Sequence, residues 1–200
     1  MTAAGNEYSG EEVMKLLLEQ RGEDVHITEG VVMTAAGNEY SGEEIIKLML
    51  EQRGEAVQIT EEVVKAAAGN EYRGEKILKF LLEQRGEDVQ VTEEVVKAAA
   101  ENRRRRNEIM NLLLKKRGNN TCIKDGAILQ IAALFDYAAL RVAFERKGDN
   151  IQITEELVKA AAGNRWRGEE IMGLLLEQRG EDVQITEEVV YVPASNRHSA

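Results

Sequence analysis

Cysteine, aromatic residues and long apolar runs are scarce in this 200-residue sequence, and each scarcity excludes a class of protein. The single cysteine, Cys122, has no partner within the chain, which excludes a scaffold held together by internal disulfides. Aromatic residues make up only 4% of the chain, so alanine, valine and leucine must supply most of the core. No apolar run reaches the roughly 18 residues that mark a membrane-spanning helix, so we expect no membrane partner.

Positive charge is also in short supply. Lysine and arginine number 26 against 36 aspartates and glutamates, which gives a formal net charge of −10. Nucleic acid and anionic membranes both need a positive surface, so neither is expected as a default partner. The N-terminal residues contain no basic segment followed by an apolar one. No secretory signal is therefore predicted, and a cytoplasmic location is the simplest expectation.

What the sequence has in abundance is self-similarity. A unit such as residues 59–90 recurs with a period of 32 residues, and one copy is shortened by two. The first positions of the units are Ile27, Ile59, Val91, Ile123, Ile153 and Ile185. This spacing predicts a single repeat array over residues 1–192. It comprises a partial unit (1–26), five units (27–58, 59–90, 91–122, 123–152, 153–184) and a partial unit (185–192), followed by a tail (193–200). The degenerate unit is 123–152.

Each unit encodes two short helices, which we call A and B. In the copy at residues 59–90, helix A follows Thr60, and an apolar stripe that includes Ile77 and Leu81 predicts helix B. We expect Thr60 to cap helix A, Gly69 to end it in a left-handed conformation, and Ser41 to start a capping box in the preceding unit. Helices this short need neighbours to persist. The predicted fold class is therefore all-α, an α-solenoid of about six stacked helix-turn-helix hairpins.

One position in the A–B loop carries a large side chain in most copies. Its occupants are Tyr8, Tyr40, Tyr72, Arg104 and Trp166, with Arg73, Arg105, Arg165 and Arg167 beside them. Because the position recurs at the array period, these side chains should form a ladder along one edge. Tyrosine, tryptophan and arginine dominate binding hot spots, so the ladder is a candidate recognition strip. The alternative is packing between units, in which each ring covers the next loop.

The unit at residues 91–122 departs from the others in charge. Its basic residues include the run of Arg103, Arg104, Arg105 and Arg106, followed later by Lys115 and Lys116. Such a patch is a candidate site for an acidic peptide, a phosphate group or nucleic acid. It could instead be an island of charge that compensates acidic neighbours.

Motifs that support catalysis are missing from the sequence. Paired glutamates such as Glu43 and Glu44 recur in several copies at predicted helix starts, where negative charge suits the helix dipole. A catalytic pair would need a unique cleft that raises the pKa of one member. We find no phosphate-binding glycine-rich loop, no zinc-binding spacing and no nucleophile–base motif. The sequence therefore predicts no enzymatic activity, no cofactor and no metal.

Three repeat families share features with these units. Residues 79–90 resemble the second helix and exit of an ankyrin repeat. The segment ITEEVVKAAAGN at residues 59–70 resembles most specifically the tandem-repeat tails of fungal NACHT-domain (NOD-like) receptor proteins, and this likeness covers essentially the whole chain. It implies a ligand-sensing or protein-binding tail. The stretch around Val64-Lys65 and Gly69-Asn70 is similar to TAL-effector-like repeats, in which the loop after helix A reads one DNA base per repeat.

The function we expect is a non-catalytic protein–protein interaction scaffold or ligand-sensing repeat module, with an unidentified protein or peptide as its partner. The alternative is a nucleic-acid-binding repeat protein that uses the Arg-rich loop and the aromatic column, which the acidic balance of the chain disfavours. The end units lack the polar capping repeats that an array normally has, so self-association through them is a further expectation.

Overall fold

Short helices follow one another through residues 3–115 and 123–190, the parts of the chain that the computed structural model describes. They are α1 (Gly10–Arg21), α2 (Glu29–Gly37), α3 (Gly42–Arg53), α4 (Glu61–Gly69), α5 (Gly74–Arg85), α6 (Glu93–Glu101), α7 (Arg106–Lys115), α8 (Asp125–Leu134), α9 (Tyr137–Lys147), α10 (Glu155–Ala162) and α11 (Gly168–Arg179). Residues 187–190 are again helical. Within these two ranges, extended pairing is limited to one bridge between Val91 and Ile123.

The helices stack in two layers. Helices α2, α4, α6, α8 and α10 each pack on the next and form the A layer, while α1, α3, α5, α7, α9 and α11 do the same in the B layer. Within each hairpin, the A helix also packs on the B helix that follows it. The all-α solenoid of stacked hairpins predicted from the sequence is confirmed.

A continuous apolar core runs between the two layers. In the hairpin of α4 and α5, Val63, Val64 and Ala67 from the A helix and Ile77 and Leu81 from the B helix are fully buried in it. Helix α4 has only 9 residues, fewer than the roughly 12–15 at which an isolated helix becomes marginal in water. Each hairpin therefore depends on its neighbours to cover its apolar side.

The B helices are the longer ones, yet α1, α3, α5 and α11 have only 12 residues each. None of the helices in residues 3–115 and 123–190 combines the length and the apolar character that crossing a membrane requires.

The helices are not capped in the way that the sequence predicts. Ser41 holds the N-cap position of α3 with a ψ of 17°, which is not the extended conformation typical of an N-cap. Its hydroxyl makes no hydrogen bond, so the predicted capping box was wrong. Thr60 holds the N-cap position of α4, but its hydroxyl accepts no bond either. The prediction that Gly69 ends α4 in a left-handed conformation was also wrong. Gly69 is the last residue of α4, and among the described residues only Gly148 has a positive φ.

The degenerate unit at residues 123–152 keeps both helices but has a shorter loop. Only Phe135 and Asp136 separate α8 from α9, whereas residues 70–73 separate α4 from α5. The Asp136 carboxylate accepts a hydrogen bond from the backbone N–H of Ala139 at 3.0 Å and so caps α9. Of the sequence predictions, those on Lys116, Cys122 and the tail at 193–200 lie outside the described residues.

Candidate protein-interaction edge

An asparagine closes the regular A–B loops. The Asn70 Oδ1 atom accepts hydrogen bonds from the backbone N–H groups of Tyr72 and Arg73, at 3.1 and 2.9 Å. Its Nδ2 atom donates to the backbone carbonyls of Ala36 and Asn38 in the preceding unit, both at 3.0 Å. One buried side chain therefore shapes its own loop and ties it to the loop before.

The same bonds recur along the array and form an asparagine ladder, made by Asn38, Asn70, Asn102 and Asn164. All four are buried. No hydrogen bond between loops was predicted for these asparagines from the sequence. The signal that could have found them is their recurrence at the array period, because a polar residue present at one position of each regular loop needs a backbone partner in each copy.

Glycine at the start of helix B brings the loop close to helix A. A Cβ atom on Gly42 would lie 2.5 Å from the carbonyl oxygen of Ala35 and 3.1 Å from Cδ1 of Ile77. Glycine therefore stands here because the backbones approach too closely for a side chain. The loops are held tightly, and their remaining side chains project outwards. We call this surface, formed by residues 6–9, 38–41, 70–73, 102–105, 135–136 and 164–167, the loop edge.

The predicted aromatic column lies on the loop edge. Tyr8 and Tyr40 stack with their ring centroids 6.3 Å apart and their planes at 28°. Their side chains are 90% and 53% exposed, and Tyr72 is 50% exposed. The guanidinium of Arg104 lies over the Tyr72 ring, 4.4 Å from its centroid. Tyr8 packs on Tyr40 and Arg104 packs on Tyr72, as the packing alternative expected, and these side chains still present surface to solvent. Recognition by the column stays a prediction.

The four arginines at residues 103–106 make different contacts. Arg104 also approaches Glu71, with 3.8 Å between Nε and Oε2, and Arg105 forms an ion pair with Glu75. Both acids belong to the preceding unit, so these two arginines bridge it as the charge-compensation alternative expected. Arg103 is exposed and has no such partner among the described residues, and Lys115 is exposed at the end of α7.

Arg106 points the other way, towards the degenerate unit. It replaces the glycine that begins helix B in the other regular units. Its guanidinium donates a hydrogen bond to the backbone carbonyl of Leu134 and lies 5.2 Å from the centroid of the Phe135 ring. The charge and the hydrogen-bond donors of Arg106 are therefore used, at least in part, to support the shortened loop.

The shortened loop leaves a gap in the loop edge, and Trp166 borders it. This side chain is 81% exposed. Two cavities of about 270 Å³ adjoin it, and both are lined by Arg106, Leu134 and Trp166. One also takes in Phe135, Asp136 and Arg167, and the other takes in Lys97, Glu101 and Arg165. We call the two cavities and these lining residues the Trp166 notch.

Trp166 adjoins a third and larger space. A cavity of about 690 Å³ lies between the loop at residues 164–167 and residues 185–190, with Met172, Ile185 and Val189 in its lining. Arg165 and Arg167 border it as well. The three loop residues predicted from the sequence at this position are thus brought together at the openings of these cavities.

The ionisable groups whose pKa is shifted lie at helix surfaces. A hydrogen bond from Lys47 lowers the pKa of Glu43, and one from Lys97 lowers the pKa of Glu93. A lowered pKa keeps a carboxylate charged, which is the opposite of what a general acid requires. Among the described residues, no group of three or more His, Cys, Asp or Glu side chains could hold a metal ion.

A comparison with protein-family models identifies the repeat. The model described as "Domain of unknown function (DUF7104)" matches residues 1–14, 16–45, 48–77, 80–110, 144–172 and 174–200, which together make up well over half of the chain. The chain belongs to this family. The matches confirm a tandem repeat, and they leave out residues 111–143, where the shortened loop lies. Neither the curated proteins nor the solved structures contain a match.

Proposed function

We propose that this DUF7104 chain is a non-catalytic protein-interaction module that binds a partner along its loop edge. The observation that carries the proposal is Trp166, which is 81% exposed in a chain that has only one tryptophan. Among the described residues, neither another aromatic ring nor a cation packs on it. Tryptophan and arginine are both enriched in binding hot spots, so Trp166, Arg165 and Arg167 form the favoured contact.

The architecture supports the same proposal. Stacked hairpins form an extended body in which the helices build the core and the exposed loops are available to contact a partner. The resemblance to the repeat tails of NACHT-domain receptors suggests a more specific role, as the part of a cytoplasmic receptor that senses a protein or peptide ligand. The ankyrin-like appearance of helix B fits such a role as well.

Binding of nucleic acid is the weaker alternative. Arg104 and Arg105 are paired with Glu71 and Glu75, and the loops also carry Glu7 and Glu39. These carboxylates would repel phosphates. A heparin column separates the two functions: the interaction module should flow through at physiological salt, whereas a nucleic-acid-binding protein should be retained and then released by added salt.

The direct test compares two variants of the same repeat. Trp166→Ala removes an exposed apolar side chain from the loop edge, and Leu176→Ala removes one from α11, where Leu176 is 47% exposed. Proteins captured from a lysate of the source organism should be retained by wild type and Leu176→Ala and lost with Trp166→Ala. Equal capture by all three proteins, or loss with Leu176→Ala alone, would contradict the loop edge as the binding surface. Light scattering over a concentration series shows whether the captured partner is a second copy of the chain.

A further inference from the structure

The gap in the loop edge suggests what kind of partner the protein takes. We infer that the Trp166 notch binds a short extended segment of another protein, in which an apolar side chain is flanked by carboxylates. The inference rests on the proposed function and assigns the chemistry of the partner.

The size of the notch favours single side chains over a small molecule. Each of the two cavities measures about 270 Å³, below the roughly 300–1,000 Å³ typical of small-molecule sites. They are adjacent, because Arg106, Leu134 and Trp166 line both. An extended segment that crosses Trp166 can place one side chain in each, since successive side chains of a strand-like peptide point in different directions.

The column of large side chains is interrupted where the notch lies. The loop at residues 102–105 contributes Arg104 and the loop at 164–167 contributes Trp166, but the two residues between α8 and α9 contribute no member to the column. The floor left at this place includes Phe135 and Leu134. An apolar side chain of the partner would therefore take the place of the missing member, between Phe135 and Trp166.

The charge of the notch selects for carboxylates. Its lining contains four bases, Lys97, Arg106, Arg165 and Arg167, against two acids, Glu101 and Asp136. Asp136 is engaged in capping α9. Arg165 is exposed and makes no ion pair with any described residue. Lys97 is paired with Glu93 and Glu94, and Arg167 is paired with Glu170. Arg165 is therefore the base that remains to attract a carboxylate of the partner, in a chain whose net charge is −10.

The experiment is a selection from a phage-displayed library of random heptapeptides on the full chain. We expect the enriched peptides to carry a net negative charge around an apolar residue. Because Trp166 is the only tryptophan, an enriched peptide without tryptophan should shift the fluorescence emission of the protein to shorter wavelength as it covers the ring. Raising the salt concentration should weaken binding.

Three variants locate the bound peptide. Arg165→Glu and Trp166→Ala should each weaken binding at least about tenfold, whereas Tyr72→Ala, on the same edge but outside the notch, should leave it within about twofold. Enrichment of neutral or basic peptides, enrichment of none, unchanged emission, or equal losses in all three variants would overturn the inference. If Trp166→Ala loses its protein partner while no acidic peptide is selected, the proposed function stands and only the assigned chemistry fails.

Discussion

Two junctions between neighbouring units differ in the side chain that connects their loops. Between units 27–58 and 59–90, the side chain of Asn70 makes four hydrogen bonds to the backbone and the loop edge is filled. Between units 91–122 and 123–152, Leu134 occupies the place of the asparagine, and α8 runs on through it. Support there comes from the long side chain of Arg106, which reaches the Leu134 carbonyl from the preceding unit.

The two junctions show that the fold requires packing between neighbouring helices, whereas the length of the loops can vary. Helices α6 and α8 still pack on each other across the irregular junction, and so do α7 and α9. The two layers therefore continue through a unit that has lost two loop residues. A solenoid tolerates such a loss because each unit contacts only its neighbours. The regular junction presents Tyr40 and Tyr72, and the irregular one adjoins the cavities beside Trp166.

The most direct test of this difference removes the central side chain of each junction. Asn70→Ala leaves two backbone N–H groups and two carbonyls without their partner, so we expect a loss of about 3 kcal/mol in the free energy of unfolding. Arg106→Ala removes one hydrogen bond and a contact with Phe135 from a half-buried site, and about 1 kcal/mol is expected. Urea unfolding followed by circular dichroism measures both. An Arg106→Ala loss as large as that of Asn70→Ala would show that the irregular junction depends on one side chain just as strongly.

The glycine at the start of helix B offers a second, smaller test. The added methyl group of Gly42→Ala would clash with the Ala35 carbonyl, so we expect a net loss of about 1.5 kcal/mol in stability. Gly37→Ala is the matched control, because Gly37 ends α2 with no atom within 4 Å of the added Cβ. It should be neutral or stabilising by up to about 1 kcal/mol, through the higher helix propensity of alanine. Similar losses in the two variants would mean that close approach is not why Gly42 is glycine.

The sequence predicts the burial of apolar side chains better than it predicts the hydrogen bonds between loops. The period of 32 residues and stripes such as Ile77 and Leu81 are enough for the two-layer solenoid, because burial of apolar faces is read directly from periodicity. The capping interactions at the helix ends were predicted wrongly because capping rules consider one loop at a time. Ser41 and Gly69 lost those roles to an asparagine that acts between loops, and only the structure shows which carbonyls it reaches.

The candidate site was predictable as a column of residues but not as a surface. Recurrence at the array period placed the tyrosines and Trp166 on one edge, as the structure has them. It did not show that Arg104 and Arg105 are tied to acids of the preceding unit, or that Arg106 turns towards Leu134. Those contacts depend on how far a long side chain reaches between neighbouring loops. The notch follows from a two-residue deletion whose effect appears only once the loops on both sides are in place.

The smallest expected effect concerns charge on the B helices, where the two regions differ again. In α3, Lys47 donates a hydrogen bond of 2.7 Å to Glu43, and α7 has Asn107 and Asn111 at the equivalent positions. The bond from Lys47 lowers the pKa of Glu43 in the folded state. Its stabilisation is therefore present above the unfolded pKa of about 4.3 and is lost as the pH falls through the lower folded pKa.

Glu43→Gln should remove this contribution, which we expect to be only about 0.5 kcal/mol because Lys47 is partly exposed to solvent. The variant should be less stable than wild type at pH 6 and should approach it at pH 3, as measured by urea unfolding at each pH. In a Lys47→Met background, the pH-dependent part of the difference should shrink. A difference that stays constant from pH 6 to pH 3 would mean that the pair contributes through packing, and that charge does not distinguish the two helices.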